Sequence, residues 1–311
     1  MIVDMHCDSI LAAYVNRYSL AEQSQDGHLD LHRLRQAGVK IQFFALFPGI
    51  APYMNPLQQV LLLGDFFWEQ LASEGVYWDV ITFGRQLLDV LHGERSGAIL
   101  TVEGGEALLG NIRLLSVLYR FGVRSLCLTW NNRNEIADGV DETKTGGGLT
   151  SFGRDVVKEM NRLGMLIDVS HLSERGFWDV LELSEAPIIA SHSNCKAVWD
   201  HPRNLTDDQI RGIAQKGGVV GINFAAELVG PPGCGLEYLY RHIDHISSLV
   251  GDDYLGFGSD FDGTERLVRG VKDVNSFQEI IAMLIKNGYS EATLRKICSD
   301  NCVRLLRQVL L

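Results

Sequence analysis

No Cys-x-x-Cys pair occurs in the 311 residues, and the six cysteines (Cys7, Cys127, Cys195, Cys234, Cys298 and Cys302) are scattered along the chain. That spacing excludes a thiolate zinc ribbon and does not form a disulfide framework. Cys298 and Cys302 lie one helical turn apart and read as part of an apolar helix face. No block of basic residues interrupts a formal charge of −11, so neither nucleic acid nor an anionic membrane is an expected partner. No apolar stretch follows a basic start, and there is no long apolar run and no hydrophobic anchor tail. The expectation is a cytoplasmic protein. Nor does a glycine-rich phosphate fingerprint follow the first strand, which argues against a doubly wound sheet.

What is present is an ordinary globular composition, 46% hydrophobic and 22% charged, with ample length for a large core. The first segment, Ile2-Val3-Asp4-Met5-His6-Cys7-Asp8, reads as a strand. Alternation puts His6 and Asp8 on one face and Cys7 on the other, packed in the core. Seven more short apolar segments read as strands, at 39–47, 98–103, 123–130, 165–171, 187–192, 219–224 and 255–260. Helix-like sequence follows each. Asp30, Ser151, Ser173 and Thr206 are the expected helix caps, and 55–92 reads as helical throughout. A polar segment, 131–148, is long enough to be a functional lid or only a mobile surface segment. Eight strand–helix units predict an α/β fold of the (β/α)8 TIM-barrel type. The expected organisation is one catalytic barrel domain over 1–311 with a helical C-terminal tail.

Barrel active sites lie at the C-terminal strand ends. Those ends carry His6 and Asp8, then Glu103, His171, His192 and Asp260. Imidazoles and carboxylates sharing one mouth suit two divalent ions, with zinc the fitting metal and Glu103 the natural bridge. The fourth strand ends in Trp130, with no lysine there to serve as an alternative bridge. A water shared by such ions would have a pKa near ~7 and act as the nucleophile. Asp260 is placed to take its proton as the catalytic acid–base.

The segments HCDS, VEGGEAL, DVSH, SHSN, DHPRNLTDDQI and GFGSDFDG, in this order, resemble the membrane (renal) dipeptidase family of metal-dependent amidohydrolases. The resemblance runs from the first strand to the last helix. It implies an amidohydrolase-like barrel, two Zn2+ ions and hydrolysis of dipeptides, including ones with a C-terminal D-residue. By motif, one zinc would be held by His6, Asp8 and Glu103, the other by Glu103, His171 and His192. Arg203 matches the family arginine that binds the substrate carboxylate. Two departures stand out. The family's mammalian LTH is LTW here, placing Trp130 and then Asn131 beside the substrate, and its NFY is NFA, placing Ala225 where a pocket tyrosine stands. The family's membrane anchor is not expected here.

Among the remaining candidates, Asn223 ends the seventh strand as a possible donor to substrate or a capping amide. Asp4 reads as a buried structural carboxylate, Asp168 as a partner behind the ligands, and Asp262 as a turn residue beside Gly263. His201 would orient Arg203 or line a loop. His28, His32, His92, His242 and His245 read as ordinary helix or surface residues. Two other functions stay open: hydrolysis of another small amide, such as an N-acyl amino acid or lactam, and a binding barrel without activity. The expected partner is a small dipeptide, and the assembly is open, a homodimer included.

Overall fold

The structure, a computed structural model, describes residues 1–23, 26–49, 51–75 and 77–310. Its strands are β1 (Ile2–Asp4), β2 (Val39–Leu46), β3 (Trp78–Val80), β4 (Ser96–Glu103), β5 (Val123–Cys127), β6 (Leu166–Asp168), β7 (Ile188–Ala190), β8 (Val219–Ile222) and β9 (Leu255–Phe257). All pair in parallel. Eight of them close a barrel in the order β1-β2-β4-β5-β6-β7-β8-β9, β9 returning to β1. The closing β2–β4 ladder runs from Ile41 opposite Gly97 to Leu46 opposite Val102.

β3 corrects the expectation of unbroken helix over 55–92. Two helices, Pro56–Ser73 and Gly84–His92, flank it. Trp78–Val80 pairs with Ser96–Ala98 on β4, below the point where β5 takes over at Leu100. Three strand residues between two amphipathic helices do not disturb a helical period averaged over a long window, so the pattern conceals them. Helix entry follows local chemistry. Asp30, Ser173 and Thr206 each accept the amide of the residue three positions on. The expected cap Ser151 is already inside its helix, and Thr150 caps it, accepting from the Gly153 amide at 3.0 Å.

Inner positions of six strands, Val3, Ile41, Ile99, Leu166, Ile189 and Val219, form one apolar cluster inside the barrel. Cys302, Leu305, Leu306 and Val309 of the helix Asn301–Val309 join it, so the C-terminal tail closes the barrel's N-terminal end. Cys298 packs instead in the larger cluster between strands and outer helices. His242 belongs to the interior too. It is fully buried, bonded to the Val229 carbonyl at 2.8 Å and to the Cys195 amide at 3.0 Å, and burial lowers its pKa to about 4. The 131–148 segment is strapped down, with the Val140 amide on the His171 carbonyl at 2.8 Å and the Ser173 amide on the Asp138 carbonyl at 3.0 Å. No helix among the described residues is long and apolar enough to cross a membrane.

Glycines let the strand ends converge beneath the mouth. A Cβ on Gly221 would lie 2.0 Å from the Ser191 carbonyl oxygen, and one on Gly258 would lie 1.7 Å from it. Both contacts are to backbone, so no side-chain rotation relieves them. Gly258→Ala is expected to cost about 1–3 kcal/mol, the usual scale of overpacking. Denaturant unfolding measures this, and an unchanged midpoint would show that the barrel tolerates a wider β7–β9 spacing.

Candidate metal centre and active site

Strict alternation from β1 would not bring His6 to the mouth. Val3 and Met5 already pack inside the barrel, so the next inward position would be Cys7. β1 ends at Asp4, however, and Cys7 makes only a single bridge, to Phe261. Past that point His6 and Asp8 turn inward, while the Cys7 thiol donates to the Phe43 carbonyl. A similar reversal occurs after β6 and β9. His171 has φ 66°, Asp260 φ 61° and Asp262 φ 65°, a left-handed conformation rare for non-glycine residues and often found at functional sites.

The predicted ligands converge. His6 Nε2 lies 3.3 Å from Asp8 Oδ2, 3.6 Å from Glu103 Oε2 and 3.8 Å from Asp260 Oδ1. Glu103 Oε1 lies 3.0 Å from His171 Nε2 and 3.5 Å from His192 Nε2. The His6 and His192 rings stack with centroids 3.7 Å apart. Two ligand-competent groups share these atoms: His6 with Glu103 and His192, and His6 with Asp8 and Asp260. Asp260 thus stands as near to His6 as a ligand would, beyond its expected role in proton transfer.

Hydrogen bonds fix which nitrogens are free. The Ser191 hydroxyl donates to Asp168, so its oxygen can only accept from His192 Nδ1, 2.8 Å away. Asp168 also accepts the amides of Ser170 and Ser191, each at 3.0 Å. Asn131 Oδ1 sits 2.6 Å from His171 Nδ1, which makes that nitrogen the donor. Both imidazoles therefore present Nε2 lone pairs, and those two nitrogens are 2.8 Å apart. Burial holds both pKa values well below the ordinary histidine value, with Arg203 and His6 adding to the effect. Two facing lone pairs repel unless a cation lies against them. The Asp8 Oδ1 atom is buried and has no hydrogen-bond partner among the described residues. Burial pushes Glu103 well above the usual carboxylate range, with Asp8 adding to it. Burial opposes a charge on His6, yet Glu103, Asp8 and Asp260 outweigh it and raise its pKa to about 10. This donor set fits divalent cations, which would supply the positive charge these carboxylates lack.

A cavity of about 390 Å³ opens over the cluster, lined by Asp8, Glu103, His171 and Asp260 and, around them, by Trp130, Asn131 and Arg203. Trp130 is 37% exposed and stands between Phe47 and His171, with ring centroids at 5.3 and 6.0 Å. Arg203 is buried, donates to the His192 carbonyl at 3.3 Å, and has no carboxylate ion pair among the described residues. Burial lowers its pKa, while Asp260 and Glu103 pull the other way. Asn223 does not face the cavity. It is fully buried, donating to Asp260 Oδ2 at 2.8 Å, with its Oδ1 accepting the Ala225 amide at 2.6 Å. Asp4 accepts the Ser259 amide at 2.8 Å and hydroxyl at 2.7 Å, holding β9's end against β1. Asp262 does more than serve a turn, accepting the His28 amide at 2.7 Å and the Ser9 hydroxyl. His201 accepts the Arg203 amide at 3.2 Å. Ser191 carried no signal beyond its place before His192, and its role emerges only when β6 and β7 lie side by side.

The family model for membrane dipeptidase (peptidase family M19) matches residues 1–311. The chain belongs to the membrane dipeptidase family. Dipeptidase tcpJ of Claviceps purpurea (strain 20.1) is 33% identical over 295 residues, spanning 91% of this chain and 69% of that protein. The crystal structure of a dipeptidase designated AC, a metallopeptidase of family M19, aligns with a TM-score of 0.93 at 30% identity, covering 99% of this chain and 98% of the other. A metallopeptidase from Rhodobacter sphaeroides, crystallised with a phosphinate mimic of the dipeptide L-Ala-D-Ala, aligns with a TM-score of 0.92 at 30% identity over 99% of each chain. This membrane dipeptidase family member is accordingly a metallo-dipeptidase, a hydrolase of peptide bonds.

Within this family member, the Asp168–Ser191–His192 chain locks the tautomer of His192, a candidate metal ligand. Ser191→Ala should lower metal affinity about 10- to 100-fold, as loss of such outer partners does. Competition with a chromophoric chelator measures it, and wild-type affinity in Ser191→Ala would mean that His192 is held by packing alone.

Proposed function

We propose that the protein is a dinuclear zinc dipeptidase that reads both ends of its substrate and accepts a D-residue at the C-terminal position. The observation that carries this reading is the division of the Glu103 carboxylate, Oε1 toward His171 and His192, Oε2 toward His6. A carboxylate shared between two imidazole groups is the arrangement a bridging ligand needs. His6, Asp8 and Glu103 would hold one ion, Glu103, His171 and His192 the other, with Asp260 within reach of the first. Bound there, the zinc pair would supply Lewis acidity and acidify water toward neutral pH.

The chain's own residues account for the remainder. Asn223 fixes Asp260 Oδ2, so the carboxylate presents a set orientation to the mouth. Burial raises its pKa to about 6, with Asp8 adding and His6 opposing. A carboxyl group titrating near neutrality can take a proton from water and return it to the leaving amine. Asp8 and Asp260 can meet the substrate's free ammonium group. Arg203, buried, lining the cavity and without an ion-pair partner, supports a role in gripping the C-terminal carboxylate through its planar fork. The ligand of the Rhodobacter relative supports the D-residue. Trp130 forms a wall of the cavity over His171 and limits water there.

Zinc titration should reach about two equivalents per chain in the wild type. Glu103→Gln should disturb both sites together, as read by metal analysis after dialysis. One tightly held ion with Glu103 dispensable would overturn the dinuclear assignment.

Truncation of one partner of a desolvated charge pair costs about 2–5 kcal/mol. Arg203→Ala should therefore lose roughly thirty-fold or more in kcat/KM on a free dipeptide, and little on its already poor C-terminal amide. Equal losses on both substrates would assign Arg203 to loop support. Faster turnover of N-acyl amino acids or lactams than of any dipeptide would favour another small amide as substrate.

A further inference from the structure

A second and larger cavity, about 630 Å³, lies beside the mouth and meets it at His201 and Glu227, which line both. It is also lined by Arg266, Arg269 and Lys272. Among the described residues none of these three has an ion-pair partner. Two carboxylates, Asp200 and Glu227, line it as well, and Glu227 also lines the mouth. Asp200 precedes His201 and lies 3.8 Å from Lys196, and Glu227 is held by the Thr264 hydroxyl at 3.3 Å. The segment bearing the cations is fastened on both sides. Ala226 donates to the Arg266 carbonyl at 2.9 Å, Val268 to the Phe224 carbonyl at 2.9 Å, and Arg269 to the Cys234 carbonyl at 3.0 Å. The positions of Arg266 and Arg269 are thus set by backbone pairing with the segment that follows β8.

We propose that this cavity receives the side chain of the substrate's C-terminal residue and selects one bearing a carboxylate, as in aspartyl or glutamyl dipeptides. The inference rests on the dipeptidase reading and on Arg203 as the reader of the C-terminal carboxylate. His201 lines both cavities and Arg203 lines the mouth, so the passage opens from the cavity that holds the group reading that end of the substrate. The side chain leaving the same Cα is the one that reaches the passage. A chain of net charge −11 repels anionic ligands at large, and three unpaired cations in one recess reverse that field locally. Two guanidinium groups and an ammonium match a second carboxylate, and an amide of equal size would gain little from them.

The test compares the zinc-loaded enzyme on Ala-Glu and Ala-Gln, in both the L,L and L,D series, with Ala-Ala alongside. The kcat/KM ratio of Glu to Gln should be about ten- to a hundredfold, the scale of one or two charge-assisted hydrogen bonds. It should shrink as ionic strength rises, because these cations are exposed to solvent. In the triple variant Arg266→Gln, Arg269→Gln, Lys272→Gln the ratio should fall toward one. Turnover of Ala-Ala with no preference for Glu in the wild type, or a ratio unmoved by salt and by the triple variant, would overturn the assignment while leaving the dipeptidase reading intact. No turnover of any dipeptide would overturn that reading and the cavity assignment with it.

Discussion

Three carboxylates and three imidazoles share one buried mouth, and that crowding constrains the rest of the molecule. Removing ionised carboxylates from water is costly unless positive charge accompanies them. Among the described residues, Asp8, Glu103 and Asp260 have between them only Arg203 and whatever proton His6 retains. The chain neither solvates these groups nor pairs them off. It holds them at fixed separations with atoms that do not titrate readily: Ser191 behind His192, Asn131 behind His171, Asn223 behind Asp260. An amide or hydroxyl partner orients a ligand without neutralising it, so the centre keeps its demand for cations. The left-handed backbone at His171 and Asp260 belongs to the same constraint, since it turns side chains into a space that straight strands would not fill.

Much of this was legible in the sequence. Eight short apolar segments with helices between them pointed to the barrel, and the candidate ligands at or just past their C-terminal ends do converge, because barrel topology alone brings those ends together. What escaped detection has a common physical origin. β3 is three residues long and borrows its pairing from the first turns of β4, so it leaves no period of its own. The inward turn of His6 depends on where β1 stops, which hydrogen bonding to β9 decides, and not on alternation in the segment itself. Asn223 read as a possible donor to substrate, yet its amide is spent on Asp260 across the β8–β9 boundary. Ser191 acts through Asp168 on the neighbouring strand. Each of these depends on a contact between strands, and a pattern read along one strand does not contain it.

The two departures at the mouth take on meaning from their neighbours. Trp130 lies three residues past the end of β5 and offers no metal-ligating atom. Its ring lies with its centroid 6.0 Å from that of His171, and the next residue, Asn131, orients that histidine. The segment after β5 therefore adjoins the candidate metal centre through two side chains without adding charge to it. Ala225 is buried, and its short side chain lies where the backbone pairs with Leu267. That pairing anchors the segment carrying Arg266 and Arg269. Charge consequently differs between the two cavities: carboxylates dominate around the candidate metal centre, and three cations outnumber two carboxylates in the second. On the proposed reading, a substrate with one ammonium group and two carboxylates would match that division, its amine meeting the acidic cluster and its carboxylates meeting Arg203 and the cations of the second cavity. A dipeptide with a neutral side chain would satisfy only the first compartment and Arg203, leaving the second cavity to water.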